Sequence, residues 1–320
     1  MGSSSRFDRA TRRLTLAVVL VGLLLAGACA DTDEGFADDD FQDEFQEEGF
    51  ADDEFAEDES QSDVADVAGS DCETELGDDA EFYWLGAYRV VDGELGELCF
   101  GQDDQTLVDA WEALAAMSPK GQLTDLGLFA GFESPDAGDE VTLAFVNALD
   151  DDGNQFQMSI NLPVADEDPD ELLLTMAHEF THVFTSTVTQ MDRSAEAEFD
   201  CDTYYNGEAC YYEDSLMWAW IDEFWGELAA EVDPFADASA ADGEDRCERE
   251  PQFLGAYAAS TPEEDFAESF AAYVFDVPAP TDEVQAKLDW IDAQPGLSEF
   301  RDRAIDAGMG PLVGNFDICG

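Results

Sequence analysis

The chain has 320 residues and carries 78 Asp and Glu residues against 12 Lys and Arg residues, which gives a formal net charge of −66 at pH 7. Binding to a phosphate backbone requires Lys and Arg, so this composition excludes a nucleic acid as the main partner. The acidic residues are spread over the whole chain except its first thirty residues, which contain only one of them.

Those thirty residues have the pattern of an export signal. Four arginines precede an apolar run from Leu14 to Leu25, and small residues follow it. The run is shorter than a transmembrane span. The stretch LAGAC at 25–29 resembles the lipobox of bacterial lipoproteins, which implies a signal peptide over residues 1–28 and a lipid on Cys29. The alternative is ordinary signal cleavage after Ala30.

Residues 29–70 are a predicted acidic tether, and residues 71–320 are a predicted single domain. Within the tether, EGFADDD at 34–40 recurs as EGFADDE at 48–54. A segment with so much charge and so little apolar surface does not offset its ordering entropy, so we expect disorder. The alternative is that the regularly spaced phenylalanines form a helix that binds a partner.

The chain has seven cysteines, an odd number for an exported protein. If Cys29 carries the lipid, the other six can form three disulfides in an oxidising compartment. Only Cys201 and Cys210, which flank DTYYNGEA, are close enough in sequence to predict a pair. Zinc binding by thiolates is disfavoured because the chain contains no CxxC spacing.

Hydrophobic periodicity predicts a helix, then strands, then a series of helices. The first helix is predicted at 103–117, and the strands are predicted at 124–132, 140–149 and 155–162, with a turn at 150–154. Later helices are predicted at 170–187, 214–231, 262–275, 281–293 and 297–307, with a polar loop around Cys247. This order predicts an α+β fold, with a small mixed sheet and a helical C-terminal half.

The only two histidines of the chain lie in AHEFTHVF at 177–184. On a helix, His178 and His182 lie one turn apart on the same face, where both can bind one zinc ion at about 2.0–2.1 Å. Glu179 projects about 100° around the helix, where it can act on a water molecule instead of binding the metal. The alternative is a pair of structural histidines on a buried helix.

Hydrolytic zinc sites use three protein ligands, so the third ligand here must be a carboxylate. In EEDFAESF at 263–270, Glu264 and Glu268 lie four residues apart, so one can bind the metal while the other orients a ligating histidine. Glu223 and Glu227 have the same spacing and form the rival pair.

HEFTH, followed at a distance by EDFAESFAAY with a tyrosine upstream, resembles the gluzincin metallopeptidases, and most closely their lethal-factor-like and mini-gluzincin branch. The resemblance implies a zincin-like fold around an active-site helix, with three ligands to Zn²⁺: His178, His182 and Glu264. It further implies that Glu179 is the general base, that Glu268 supports a ligand, and that Tyr257, seven residues before Glu264, assists the oxyanion.

Two features depart from this family. The gap of 82 residues between His182 and Glu264 is longer than in many relatives, so the tryptophan-rich helix and the disulfide loop would be an insertion. Glu263 is also available as a ligand, and Thr261-Pro262-Glu263-Glu264 fits a helix start in which Glu264 would serve in a capping box. The resemblance does not extend to the first hundred residues.

The sequence thus predicts an exported, lipid-anchored zinc metallopeptidase, an endopeptidase that acts on peptides or proteins. We expect a monomer on the outside of the cytoplasmic membrane or on the outer membrane, or a secreted protein if Cys29 carries no lipid. The resemblance also implies that the strand at 155–162, which precedes the active-site helix, is the edge strand that holds an extended peptide. The alternative is a surface-anchored binding or envelope protein with a structural or vestigial zinc site.

Overall fold

The computed structural model describes Cys72, Leu76, Phe316, Cys319 and four continuous stretches, residues 82–134, 141–195, 197–236 and 238–314. The predicted signal peptide, the lipidation site at Cys29 and the acidic tether lie outside the described residues. Within them the fold is mixed α and β, in agreement with the predicted α+β class. No helix among them is both long and apolar enough to cross a membrane.

A five-stranded mixed sheet forms the N-terminal half of the described fold. Its strands are β1 (Tyr83–Val91), β2 (Glu94–Gly101), β3 (Leu126–Glu133), β4 (Ala144–Ala148) and β5 (Phe156–Asn161), in the order β2-β1-β3-β5-β4. β3 and β5 are parallel, and the other neighbours are antiparallel. The three predicted strands are confirmed as β3, β4 and β5, whereas the hairpin β1–β2 has no counterpart among the predicted elements.

The expectation that the strand at 155–162 lies at the sheet edge is wrong. β5 lies between β3 and β4, and all six of its residues are buried. Phe156, Met158 and Ile160 belong to the main hydrophobic core. The alternate residues Gln157 and Ser159 point to the other face, where their side chains form a hydrogen bond of 2.8 Å. Because it pairs with a strand on each side, β5 is an inner strand, and both of its faces are covered. The edge strand next to it is β4.

The helices confirm most of the predicted segments. They are α1 (Gln105–Met117), α2 (Lys120–Leu123), α3 (Leu162–Glu167), α4 (Pro169–Thr185), α5 (Leu216–Trp220), α6 (Ala240–Arg249), α7 (Pro262–Val274), α8 (Asp282–Ala293) and α9 (Leu297–Asp306). Two short strands, β6 (Met191–Asp192) and β7 (Cys210–Tyr211), pair between α4 and α5.

Two helix predictions are wrong. The predicted continuous helix at 214–231 is broken, because α5 gives way to a π turn over Ile221–Trp225 and a 3₁₀ turn over Gly226–Glu231. Gly226 adopts a φ of 49°, a left-handed conformation that a right-handed helix does not continue through. The predicted loop around Cys247 is instead the helix α6.

Three disulfides connect the six described cysteines. Cys201 and Cys210 form the predicted pair, while Cys247 joins Cys319. The third bridge joins Cys72 to Cys99 and lies on the sheet face opposite the main core. Such bridges stabilise a fold by restricting the unfolded chain.

Helices α4 and α7, which carry the two sequence motifs, pack against each other through aromatic rings. The ring centroid of Phe184 lies 6.4 Å from that of Phe266 and 5.5 Å from that of Phe270. Phe266 and Phe270 are fully buried, and the burial of such a ring contributes roughly 1.5–3 kcal/mol to folding. Apolar contact therefore brings the two motifs together, independently of their polar side chains.

Candidate metal centre

Helix α4 presents both histidines from one rigid element. Its start is fixed by Asp168, whose side chain accepts a hydrogen bond of 3.2 Å from the Glu171 N–H, and by Pro169 in its first turn. Ten and fourteen residues after Asp168, His178 and His182 lie on the face that meets α7. Both are buried, with 1% and 7% of their surface exposed.

Helix α7 presents the carboxylates from the other side. Thr261 caps it by accepting a hydrogen bond of 3.2 Å from the Glu264 N–H. This is the first half of the capping box that the sequence suggests. The Glu264 carboxylate points into the site, where Oε2 lies 2.9 Å from His178 Nε2. The Thr261 cap is therefore present, whereas the Glu264 side chain faces the histidines instead of completing a capping box.

The donor atoms of His178, His182 and Glu264 form a compact triangle. His178 Nε2 lies 3.4 Å from His182 Nε2, and Glu264 Oε2 lies 2.9 Å from the first and 3.7 Å from the second. A tetrahedral ion with ligand bonds of about 2.0–2.1 Å has ligand–ligand edges of about 3.3–3.4 Å. The three distances scatter around that value, so these three buried residues can hold one metal ion.

Glu264 Oε2 is buried, and no donor among the described residues meets it in full hydrogen-bonding geometry, although His178 Nε2 lies 2.9 Å away. A buried carboxylate oxygen without a donor costs free energy. An ion shared by the three donor atoms would satisfy this oxygen, which is the observation that best fits a metal.

The electrostatics of the triangle favour positive charge between the donors. Burial alone would lower the pKa of His178, but the close approach of Glu264 and Glu268 to its two ring nitrogens and the charges of both carboxylates raise it well above its ordinary value. Burial alone would raise the pKa of Glu264, but the charges of both histidines and the close approach of their ring nitrogens hold it below its ordinary range. A divalent cation supplies the same kind of charge.

Glu268 fixes the orientation of His178. Its Oε1 lies 3.0 Å from His178 Nδ1, on the side of the ring that faces away from the triangle. When this carboxylate accepts a hydrogen bond from Nδ1–H, the ring is held in the tautomer with its lone pair on Nε2. That lone pair is then directed at Glu264 and His182. The predicted pairing of one binding and one supporting carboxylate four residues apart is thus what the geometry allows.

Glu179 lies beside the triangle without being one of its donors. It is 1% exposed, and its Oε1 has no hydrogen-bond partner among the described residues. Burial raises the pKa of Glu179 to about 7; the two histidines oppose this shift, and the charges of Glu264 and Glu268 add to it. A carboxylate in this environment accepts a proton more readily than an exposed glutamate does.

The ring of Tyr257 lies near that of His178. Its ring centroid is 6.0 Å from that of His178, and the residue is 4% exposed. Burial raises its pKa well above the ordinary value, and so do the charges of Glu264, Glu179 and Glu268 and a hydrogen bond to Glu264. The hydroxyl therefore keeps its proton and remains a donor near the cluster.

The rival carboxylates do not join the triangle. Glu223 and Glu227 are exposed on the broken segment after α5. The carboxylate of Glu263 turns aside to accept a hydrogen bond of 3.0 Å from the Tyr211 hydroxyl. Of the carboxylates considered from the sequence, Glu264 is the one that the fold places with both histidines.

No known protein-family model matches this chain, and no curated protein or solved structure is detectably similar to it. The likeness to gluzincins therefore rests on the residues of the two motifs. The arrangement of these residues carries the functional argument.

A second set of buried polar residues surrounds Asp265, the residue after Glu264 on α7. No sequence motif indicates this set. Asp265 is fully buried and accepts hydrogen bonds of 2.6 Å from Lys287, 3.1 Å from Trp220 and 2.9 Å from Trp225. Lys287 is also fully buried and lies 4.5 Å from the ring centroid of Phe253. This buried ion pair fixes α7 to α8 and to the tryptophan-rich segment.

The cluster of His178, His182 and Glu264 is hardly accessible. Two surface cavities of about 440 and 500 Å³ lie along α6 and at the Cys247–Cys319 disulfide, and no cluster residue lines them. His182 is the most exposed of the three donors, with 9% of its side-chain surface accessible. The approach to the cluster therefore leads past His182.

Proposed function

We propose that this protein is a zinc-dependent metallopeptidase that hydrolyses peptide bonds in peptides or proteins. The observation that carries the proposal is Glu179, a buried carboxylate beside the metal-binding triangle but not part of it. A purely structural metal site has no use for such a group, whereas hydrolysis requires a base within reach of the attacking water. The same reasoning favours this function over a binding protein with a structural site.

Zinc is the metal that suits this donor set. Two imidazole nitrogens and one carboxylate oxygen form a ligand set of catalytic zinc sites, which keep a further position for substrate. Within the described residues the cluster has three donors and no fourth. When bound, such an ion makes a water molecule more acidic and polarises the carbonyl of the peptide bond.

Each neighbouring side chain then has a separate task. Glu179 removes a proton from the attacking water and later delivers it to the nitrogen of the leaving amine. Tyr257 donates a hydrogen bond to the carbonyl oxygen as negative charge develops there. Glu268 holds His178 in the tautomer and orientation that metal binding requires.

The substrate would be held in extended form along β4. This strand packs near α4 and pairs only with β5 among the described residues, so one of its backbone edges is not used by the sheet. A peptide can add to such an edge through main-chain hydrogen bonds. In this proposal β4, and not the strand at 155–162, holds the peptide.

The location of the protein is part of the proposal. Three disulfides suit an oxidising compartment outside the cytoplasm. We expect export by the N-terminal signal, a lipid on Cys29, and a monomeric catalytic domain held to the cell envelope by the acidic tether.

The decisive experiment compares the wild type with Glu179→Gln. Both proteins are analysed for zinc content and then incubated with a denatured protein mixture and with a quenched fluorescent peptide library. We expect one zinc per chain in both proteins. Because the amide cannot accept a proton, we expect hydrolysis to fall by at least about 10²-fold, which is the low end of general-base contributions.

The matched control is Glu227→Gln, the same substitution at an exposed glutamate. It should leave both zinc content and hydrolysis unchanged. Chelation should abolish the activity of the wild type, and added zinc should restore it. Full zinc occupancy without hydrolysis of any peptide in the wild type would reject the peptidase and leave a structural site.

A further inference from the structure

Two cations lie buried behind the candidate site, in a domain that is poor in cations. Residues 71–320 contain eight Lys and Arg residues, and of these only Arg246 and Lys287 are buried. Lys287 is bound to Asp265. Arg246, on α6, is directed at the turn that carries Tyr257.

This turn has no regular secondary structure to hold it. Residues 256–260 form turns between Gly255 and the start of α7. Within it, Ser260 donates to the Tyr257 carbonyl oxygen twice, from its N–H at 2.9 Å and from its hydroxyl at 2.7 Å. The backbone position of Tyr257 is thus tied to that of Ser260.

Arg246 holds the far end of the same turn. Its guanidinium Nη1 donates to the carbonyl oxygens of Ala259 and of Ser260, the latter at 3.2 Å. A single guanidinium is suited to two neighbouring carbonyl oxygens because its donors lie in a rigid plane. The side chain is 7% exposed, so these contacts are made away from water and its screening.

Helix α6 approaches this turn too closely for any side chain at the contact. A Cβ at Gly243 would clash with the Ala256 carbonyl oxygen and would lie 2.7 Å from the Ala259 carbonyl carbon. Gly243 lies about one helical turn before Arg246, so both residues belong to the same face of α6. The contact between this face and the turn is close and specific.

Arg246 also contacts the structure that supports Glu264. Its guanidinium lies 5.2 Å from the ring centroid of Trp225. The Trp225 indole N–H donates to Asp265 at 2.9 Å, and Asp265 follows Glu264 directly on α7. One residue on α6 therefore touches the support of the tyrosine on one side and the support of the third ligand on the other.

We infer that Arg246 is a positioning residue for Tyr257, and that α6 exists in the long insertion to hold this tyrosine over His178. The inference rests on the proposed function in one respect, because the role of Tyr257 in hydrolysis belongs to that proposal. The structural part, that Arg246 orders the turn at 256–260, stands independently and can be measured without any substrate.

The first test uses the full-length protein without metal. Amide hydrogen exchange is followed at Ala259 and Ser260 in the wild type, in Arg246→Met and in Arg249→Met. Arg249 is a matched control, since it lies on the same helix, is exposed and binds the same Glu231. In Arg246→Met we expect exchange at these two amides to rise at least about tenfold, with no change on α4. Equal exchange in the two variants would overturn the inference.

The second test is a double-mutant cycle on the zinc-loaded protein. Arg246→Met and Tyr257→Phe should each lower kcat by about 10²-fold, as the loss of one oxyanion donor does. If Arg246 acts through Tyr257, the double variant should lie within about twofold of Tyr257→Phe alone, with KM and zinc content unchanged. Losses that multiply would show that Arg246 acts elsewhere and would overturn the inference.

Arg246→Lys serves where the methionine variant does not fold. It keeps the charge but offers one donor group in place of a planar fork. We expect a smaller loss of kcat that again disappears in the Tyr257→Phe background, and its persistence there would count against the inference. A wild type without activity would reject the proposed function alone, because the exchange test still decides the role of Arg246.

Discussion

The two halves of the candidate site are built in different ways. The α4 half carries His178, Glu179 and His182 within five consecutive residues of one helix. The α7 half needs residues that are far apart in sequence, because Glu264 depends on the ion pair of Asp265 with Lys287 and on indoles from the segment after α5. Helix geometry places the three side chains of the first half on one element, whereas tertiary packing places Glu264 in the second.

This difference indicates a structural role for the long segment between His182 and Glu264. Residues 183–263 contribute Trp220, Trp225 and Arg246, and each of them contacts α7 or the turn before it. Changes in this segment should therefore act on the α7 half of the site and leave the α4 half intact. The predictions that follow test this asymmetry, beginning with the strongest effect.

Removal of the third ligand should have the largest effect. In Glu264→Gln, a neutral amide replaces the carboxylate that lies 2.9 Å from His178 Nε2. We expect zinc affinity to fall by more than about 100-fold, beyond the loss that follows from mutating a residue that only supports a ligand. Titration with zinc by calorimetry measures this.

The neighbouring variant Glu263→Gln is the control for that prediction. Its amide oxygen can still accept the hydrogen bond from Tyr211. We expect zinc affinity to remain within twofold of the wild-type value. If Glu263→Gln weakens zinc binding as much as Glu264→Gln does, the ligand has been assigned to the wrong glutamate.

The buried ion pair should dominate the stability of the α7 half. Lys287→Met leaves Asp265 as a buried carboxylate without its cation, and breaking such a pair costs about 3–5 kcal/mol of the free energy of unfolding. Urea denaturation of the metal-free protein measures this value. Lys120→Met is the matched control, because Lys120 is exposed and its pair with Glu94 contributes at most about 1 kcal/mol. Equal losses in both variants would contradict a structural role for Lys287.

The same asymmetry explains which parts of the site the sequence predicts. The HEFTH motif can be recognised in the sequence because its side chains act together within a single turn of a helix. The pairing of Glu264 with Glu268 can be predicted for the same reason, from their spacing of four residues. The burial of Arg246 and Lys287 cannot be predicted, because no local sequence pattern distinguishes a buried cation from an exposed one. Only the aromatic and carbonyl groups that surround them in the fold make this distinction.

The fold follows a similar rule. Amphipathic segments with clear periods, such as α1 and β5, are predicted correctly. Helix α6 is missed because AADGEDRCER offers few apolar residues and is held by Gly243, Arg246 and Cys247, whose contacts are all tertiary. The hairpin β1–β2 did leave a signal, since Asp92 and Gly93 have φ values of 52° and 71° at its turn, and an Asp-Gly pair between strands indicates such a hairpin.

Loss of the carboxylate that supports His178 should have an intermediate effect. In Glu268→Gln the side chain keeps its size and its amide oxygen can still accept a hydrogen bond from the His178 Nδ1–H, but the side chain loses its charge. We expect zinc affinity to fall by about 10–100-fold, equivalent to about 1.4–2.8 kcal/mol. Competition with a chromophoric chelator measures the constant. Affinity equal to that of the wild type would remove Glu268 from the site.

The smallest effects should come from the two helix caps, and they separate the halves most sharply. Asp168→Ala and Thr261→Ala each remove one side-chain acceptor at a helix start, so each should lower the free energy of unfolding by about 1 kcal/mol. Their effects on zinc should differ. Thr261 binds the N–H of Glu264 itself, whereas Asp168 lies ten residues before His178.

We therefore expect Thr261→Ala to weaken zinc binding severalfold and Asp168→Ala to leave it unchanged, at equal loss of stability by thermal denaturation. The reason is that a ligand in the first turn of a helix moves with its cap, while a ligand almost three turns into a helix is held by packing on all sides. If both caps weaken zinc binding equally, general destabilisation governs affinity, and the α7 half is no more dependent on its surroundings than the α4 half.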